Sequence, residues 1–386
     1  MVRKNIKVNV KFITVIIVIT ILYVSNIYSY VVSFDEYKDV LVGLRYIDIF
    51  ITILLSGAIT LLVFKKSLLY IVSFFMLTLL YALLSRNYFY VDVALLILFS
   101  FSLTNLLNNG LEKALDITSF IILVTFIIIV YFALNGALEN DVFIMPTTHY
   151  FPIKLSLGFN NPNVISMLIC TFAITLLFYK RWMLFALYSI AFLPLSLLLG
   201  SRTYILAWLV SIIISIFYDK FKKVDIALYA ILFIPVLIAV SLYYNISSDL
   251  VLYLDRFLNG RVAGFFKEIK DYNLLQFLIG GGSFTKVDVA YFNFILGYGI
   301  IGYTAIMYTL VRLLRSCKGA QLLKFSYSLL FICFFENTIS VNSILSVAFI
   351  IEIILYLNQN RHRDIKNANI KFNETDGVIS QRNKLS

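Results

Sequence analysis

Apolar and polar positions along the chain form a succession of long apolar runs with short polar punctuation between them. Runs able to cross a hydrocarbon core, roughly 17–25 residues each, fall at about 12–32, 47–64, 67–85, 93–108, 115–134, 162–179, 182–199, 203–218, 226–244, 288–311, 320–336 and 340–357. In lipid a helix satisfies its backbone hydrogen bonds within one segment, so each run is expected to be helical. The pattern predicts an all-α, polytopic integral membrane protein with about 12 transmembrane helices. One transmembrane domain spans 1–357, and a polar tail occupies 358–386. The first run has no small-x-small cleavage pattern behind it, so it reads as a retained signal anchor.

Composition removes the soluble alternatives. Hydrophobic residues make up 61% of the chain and charged residues 14%, with a mean hydropathy of +0.91. Soluble globular chains hold about 45–50% and about 25% of these, and a soluble chain this apolar cannot cover itself with polar surface. Thirty-five Phe and 26 Tyr against 5 Pro and 16 Gly argue against disorder. The net charge of +11 resembles a nucleic-acid signal until the charges are placed. Basic clusters at Arg3-Lys4, Lys65-Lys66, Lys180-Arg181, Lys220 to Lys223, Arg312 to Lys324 and beyond Arg361 fall on one side of a twelve-span topology. That side carries 22 of the 32 basic residues and 8 acids, against 10 and 13 on the other. By the positive-inside rule both termini are cytoplasmic, and a nucleic-acid partner is excluded.

Two external segments, 135–161 and 245–287, are longer than connection requires, which points to function. No P-loop, GxGxxG, HExxH or GxSxG motif occurs, and two His exclude a multi-histidine metal site. Cys170 and Cys333 lie in apolar runs and Cys317 in a cytoplasmic loop, so neither a disulfide framework nor a thiolate metal site is expected.

Candidate chemistry therefore rests on polar groups at the external membrane face, where ionisable residues are costly. In Gly200-Ser201-Arg202-Thr203-Tyr204, Ser201 or Thr203 can cap a helix whose N–H groups, dipole and Arg202 guanidinium converge on one spot suited to phosphate. An interfacial arginine that snorkels to lipid headgroups is the competing reading. Asn259-Gly260-Arg261 opens a segment to Tyr272 with one apolar face (Val262, Phe265, Phe266, Ile269), as in an interfacial helix, and Arg256 lies just upstream. A solvated loop helix fits the same spacing.

Gly280-Gly281-Gly282 permits close approach to a ligand or another chain segment. Asp288 follows as a base or a helix cap, and the glycines of Gly297-Tyr298-Gly299-x-x-Gly302 suit helix–helix contact. Asn161-Pro162-Asn163 reads as an Asn cap with Pro at the first helical position, its amides suited to phosphate or sugar hydroxyls. Glu336 sits against the dipole at a helix end, a position kept for a partner or for chemistry. His149 is a base by its ordinary pKa, or simply a solvated loop histidine.

The order of these features resembles the Wzy-type family, the polymerases of bacterial O-antigen and capsular polysaccharide repeat units. The features are a basic start, many spans, the Asn-Pro-Asn and Ser-Arg-Thr helix starts, and a large external loop with Gly-Arg-Val. Glu336 also sits where such proteins often have an acid. The resemblance covers roughly 150–340 and is closest over Asn259 to Gly302; the R-x10-G pattern of some members is not found at Arg202, Arg256 or Arg261. It implies a GT-C-like glycosyltransferase in the bacterial plasma membrane, working without a metal or nucleotide cofactor. Donor and acceptor would be undecaprenyl-pyrophosphate-linked oligosaccharides, with flippase and chain-length regulator proteins as partners among the membrane lipids. On that reading Arg202 and Arg261, helped by Arg256, bind pyrophosphate, with Asn161, Asn163 and Tyr204 beside them. Glu336, Asp288 or His149 is the base.

Three other classes fit less well. A flippase for the same lipid-linked oligosaccharide should carry charges deep in its spans and two related halves. An O-antigen ligase should use an external His in 245–287, and none is there. A scaffold has no use for outward arginines at helix starts.

Overall fold

The computed structural model describes residues 2–31, 37–60, 88–107, 111–144, 153–199, 201–221, 225–244, 261–282, 284–316, 320–336 and 342–357, with 76, 78, 80, 253, 255, 339 and 340 singly. The helices in chain order are α1 (Val2–Tyr28), α2 (Lys38–Thr60), α3 (Tyr88–Leu107), α4 (Leu111–Leu134), α5 (Pro162–Phe178), α6 (Trp182–Leu198), α7 (Arg202–Phe221) and α8 (Asp225–Tyr243). They continue with α9 (Arg261–Ile269), α10 (Leu274–Ile279), α11 (Ala290–Ser316), α12 (Ala320–Cys333) and α13 (Ile344–Leu357). Eleven of the twelve expected runs thus coincide with a helix; the run 67–85 lies almost wholly outside the described residues. Several helices outrun their apolar stretch: α1 takes in the basic start, and α2 begins nine residues before its run, because charged residues end an apolar run without ending a helix.

Two of the helices, from Glu112 to Leu134 and from Ala290 to Ser316, are long and apolar enough to cross a membrane. Their surroundings are informative. On α4, Ile117, Phe120, Ile121, Val124, Ile127, Ile128 and Tyr131 form an exposed apolar stripe, while Ala114, Leu115, Ile122, Phe126 and Ile129 are buried. On α1, Ile13, Ile17 and Ile21 repeat the outward stripe, and on α7 Leu206, Leu209, Ile213 and Ile216 do so again. Helices apolar on both faces leave an outer surface that water does not suit.

Buried hydroxyls complement this surface by bonding back to their own helices: Thr104 to Ser100, Thr171 to Leu168, Thr175 to Thr171, Ser211 to Ala207 and Ser326 to Leu322. Such bonds satisfy polar groups without help from solvent. Between helices, Tyr23 of α1 meets Phe172 of α5 edge-on at 4.9 Å. The Tyr188 hydroxyl of α6 donates to the Ser119 carbonyl of α4 at 2.7 Å.

The segment 135–161 departs from an all-helical expectation. It forms a two-stranded antiparallel ribbon, β1 (Val142–Ile144) with β2 (Ile153–Leu155), in the register Val142 to Leu155. The ribbon is tied to the bundle where Phe159 pairs with Val31 and stacks on Phe126 at 5.9 Å.

A second departure lies in α11. Gly299 adopts φ +68°, ψ 177°, so the helix breaks into Ala290–Tyr298 and Ile300–Ser316. The break strips the carbonyls of Leu296 and Gly297 of their usual partners four residues on. External donors replace them: Tyr272 Oη–H reaches Leu296 O at 3.1 Å, while Gly281 N–H at 2.9 Å and Tyr90 Oη–H at 2.6 Å both reach Gly297 O. The glycine cluster 280–282 therefore serves close approach between chain segments. A Cβ on Gly280, itself at φ +84°, would stand 1.9 Å from the Gly297 carbonyl oxygen. Two of the later glycines do serve helix–helix contact, Gly299 against the Leu278 backbone of α10 and Gly297 against Tyr90 of α3, and Gly299 in addition breaks its own helix.

Candidate functional site

Four helix starts and one helix end meet at one end of the bundle. The start of α5 is built as its sequence requires: Pro162 opens the helix and the Asn161 side chain accepts the Val164 N–H at 3.4 Å. α7 begins directly after Ser201, whose carbonyl accepts the Ile205 N–H. The Ser201 hydroxyl does not turn to its own helix as a cap; it donates to Ser166 of α5 at 2.7 Å. One turn on, Cys170 Sγ–H donates to the Tyr204 carbonyl at 3.3 Å. These two contacts set Asn163 and Tyr204 against the same space.

The opposite wall comes from α9. Its apolar face is the expected one, with Val262, Phe265 and Ile269 buried and Lys267 exposed. Phe265 stacks on Phe292 of α11 at 4.2 Å, which fixes the helix over the bundle. Asp255 accepts the Ala263 N–H at 2.7 Å and so caps α9 behind Arg261. The last wall is the end of α12, which stops at Cys333, three residues before the expected end. The chain then unwinds through a turn in which the Glu336 N–H still reaches Ile332 O at 2.9 Å.

Between these walls lies a cavity of about 280 Å³ lined by Asn161, Asn163, Val164, Met167, Tyr204, Arg261, Lys286, Val287, Asp288 and Glu336. Six residues singled out from the sequence, drawn from five stretches of chain, meet here. Tyr204 is buried at its base, Arg261 and Glu336 are half-buried, and Asn161, Asn163, Lys286 and Asp288 stand at the exposed rim.

The electrostatics centre on Arg261. Its Nη2 bonds Glu336 Oε1, and its Nε lies 3.5 Å from Asp288 Oδ2. One guanidinium thus bridges two acids, and the Asp288 carboxylate turns to Arg261 rather than capping its own helix. Burial is the largest influence on Glu336 and lifts its carboxyl from 4.5 to about 7. Arg261 opposes that rise, Asp288 reinforces it, and hydrogen bonds from Arg261 and Tyr204 favour the charged form. A carboxyl raised toward neutrality at the wall of a cavity suits general-base work.

Of the remaining expected site residues, Arg202 opens α7 two positions before Tyr204, and nothing is described of its side chain. Arg256 and His149 lie outside the described residues. Lys286 and Asp92 escaped the sequence reading altogether. Their signal was faint: Lys286 is one of several lysines between apolar runs, and only its place two residues before Asp288 marked it.

Comparison with protein-family models, curated proteins and solved structures finds no match to this chain.

Proposed function

We propose that this chain is a polytopic membrane glycosyltransferase of GT-C type that polymerises undecaprenyl-diphosphate-linked oligosaccharide repeat units at the outer face of a bacterial plasma membrane. The product would be an O-antigen or a capsular polysaccharide. The observation that carries the reading is the cavity in which Arg261, Glu336, Asp288, Tyr204, Asn161 and Asn163 meet. Twelve spans with cytoplasmic termini are part of the proposal, supported by the outward apolar stripes and by the charge distribution.

The chemistry follows from the groups present. The anomeric C–O bond to the diphosphate breaks, and a new C–O bond forms to the acceptor hydroxyl of the next repeat unit. Negative charge accumulates on the departing diphosphate, where Arg261 and the N–H groups opening α5 and α7 can stabilise it. The acceptor proton passes to Glu336, whose carboxyl is half ionised near neutral pH. Arg202, at the start of α7, is assigned to the same diphosphate.

The test is a gel of surface glycan from a deletion strain. Loss of the polymerase leaves a single repeat unit on the carrier. Intracellular accumulation would instead mark a flippase, and polymer left on the carrier a ligase. Complementation with Arg261→Ala or Arg202→Ala is expected to restore membrane insertion without chain elongation.

A further inference from the structure

A second cation, Lys286, lines the cavity, and its loop is built to hold it there. On one side, the Thr285 N–H donates to Glu268 Oε2 of α9 at 2.9 Å and its hydroxyl to Oε1. On the other, the Val287 N–H donates to Asn293 Oδ1 at 2.9 Å, and Asn293 Nδ2 returns a bond to Val287 O at 2.6 Å. Lys286 is thus carried between two pinned residues, and its Nζ sits 2.7 Å from Asp92 Oδ2 on the first turns of α3.

The two cations of the cavity differ in how firmly they are held. Arg261 is half-buried between two acids, whereas the Lys286–Asp92 pair is 42% and 26% exposed. Exposed ion pairs contribute little and exchange readily. An ammonium carries three N–H donors, and the bond to Asp92 occupies one. Two cations, Arg261 and Lys286, are each engaged by the acids Asp288, Glu336 and Asp92, so an incoming anion must take a cation from an acid. Lys286 is the cation most easily taken.

We propose that Lys286 is the second cationic ligand for a diphosphate in this cavity, and that Asp92 is a positioning residue that parks its ammonium at the rim until the anion arrives. The inference rests on reading the cavity as a diphosphate site. It differs from a purely structural account, in which Lys286–Asp92 only ties the loop to α3. A structural tie is broken equally from either end, whereas a ligand and its competitor respond in opposite directions.

The experiment is titration calorimetry of inorganic pyrophosphate into the full-length, detergent-purified chain. Lys286→Gln should weaken binding about tenfold or more, as loss of a charged hydrogen bond implies. Lys286→Arg should retain most of the affinity, and Asp92→Asn should bind as tightly as wild type or tighter. Equal weakening by Lys286→Gln and Asp92→Asn, or no effect of Lys286→Gln, would overturn the assignment while leaving the diphosphate site standing. Absence of binding to wild type would instead remove the diphosphate site itself. Displacement of pyrophosphate by phosphatidylglycerol in nanodiscs would mark a general headgroup site and overturn the proposal. Acetylation footprinting of the wild type needs no variant: pyrophosphate should slow Lys286 modification several-fold, and unchanged labelling sinks the idea.

Discussion

Glu336 combines opposing influences in one carboxyl: burial outweighs an adjacent arginine, and its proton affinity rises to about 7. The direction fixes a pH dependence. A base acts in its ionised form, so kcat/KM should climb as pH rises through about 7, where a solvated glutamate would give a flat profile. Glu336→Gln should lower turnover by about 10²–10⁴-fold and abolish that rise; in vitro elongation across pH 5.5–8.5 measures both, and an unchanged profile would move the role to Asp288. Arg261→Lys should fare little better than Arg261→Ala in the same assay, because an ammonium cannot span two acids as a guanidinium fork does. At this scale the sequence was legible where a side chain stands in a local motif, as in Asn161-Pro162 or the half-apolar run after Arg261. Lys286 and Asp92 stayed hidden because they lie 194 positions apart, and their pairing depends on packing that no local spacing encodes.

Among the elements, the contact between the loop after α10 and the broken middle of α11 leaves no room for a side chain. Added Cβ atoms would stand 1.9 Å from Gly297 O at Gly280 and 2.4 Å from Leu278 O at Gly299, both at positive φ. Gly280→Ala and Gly299→Ala should therefore each cost at least about 1–3 kcal/mol, visible as a lower unfolding temperature in detergent. Gly281→Ala should be milder: its φ is +86°, but nothing lies within 4 Å of the added carbon. The apolar runs located the helices because length and continuity suffice for that. They did not show the break at Gly299, since a Gly-Tyr-Gly stretch suits a packed helix as well as a broken one. What decides between them is the set of donors from Tyr90, Tyr272 and Gly281, all distant in the chain. The β ribbon was equally unreadable, being two three-residue strands too short for an alternating pattern to show.

Across the whole molecule, apolar stripes face outward along the bundle, and the described ion pairs divide between its two ends. One end holds the cavity. The other holds Arg181 with Asp116 at 3.1 Å, Tyr179 with Glu352 at 3.1 Å, and Arg315 over the Tyr229 ring. A membrane around the apolar belt would put these ends in different compartments. In an otherwise cysteine-free chain, Asp271→Cys should then react with an impermeant maleimide on intact cells and Lys180→Cys only after the membrane is permeabilised; labelling of both on intact cells would refute the twelve-span topology. The opposition of the ends was readable from charge counts alone. The convergence of five chain stretches on one cavity was not, because helix order in sequence does not determine which helix ends become neighbours.

The doubly bonded Gly297 carbonyl has a spectroscopic consequence. Two donors polarise one C=O group beyond what a single helical bond does, so an isotope-edited amide I band from Gly297 should absorb at lower frequency than those of the intact helical turns around it. Tyr90→Phe should move that band part of the way back while the rest of the spectrum stays still. The broken helix thus carries its own vibrational reporter, a few residues from the cavity, on which rearrangement of the loop before Asp288 can be followed without touching a residue of the site.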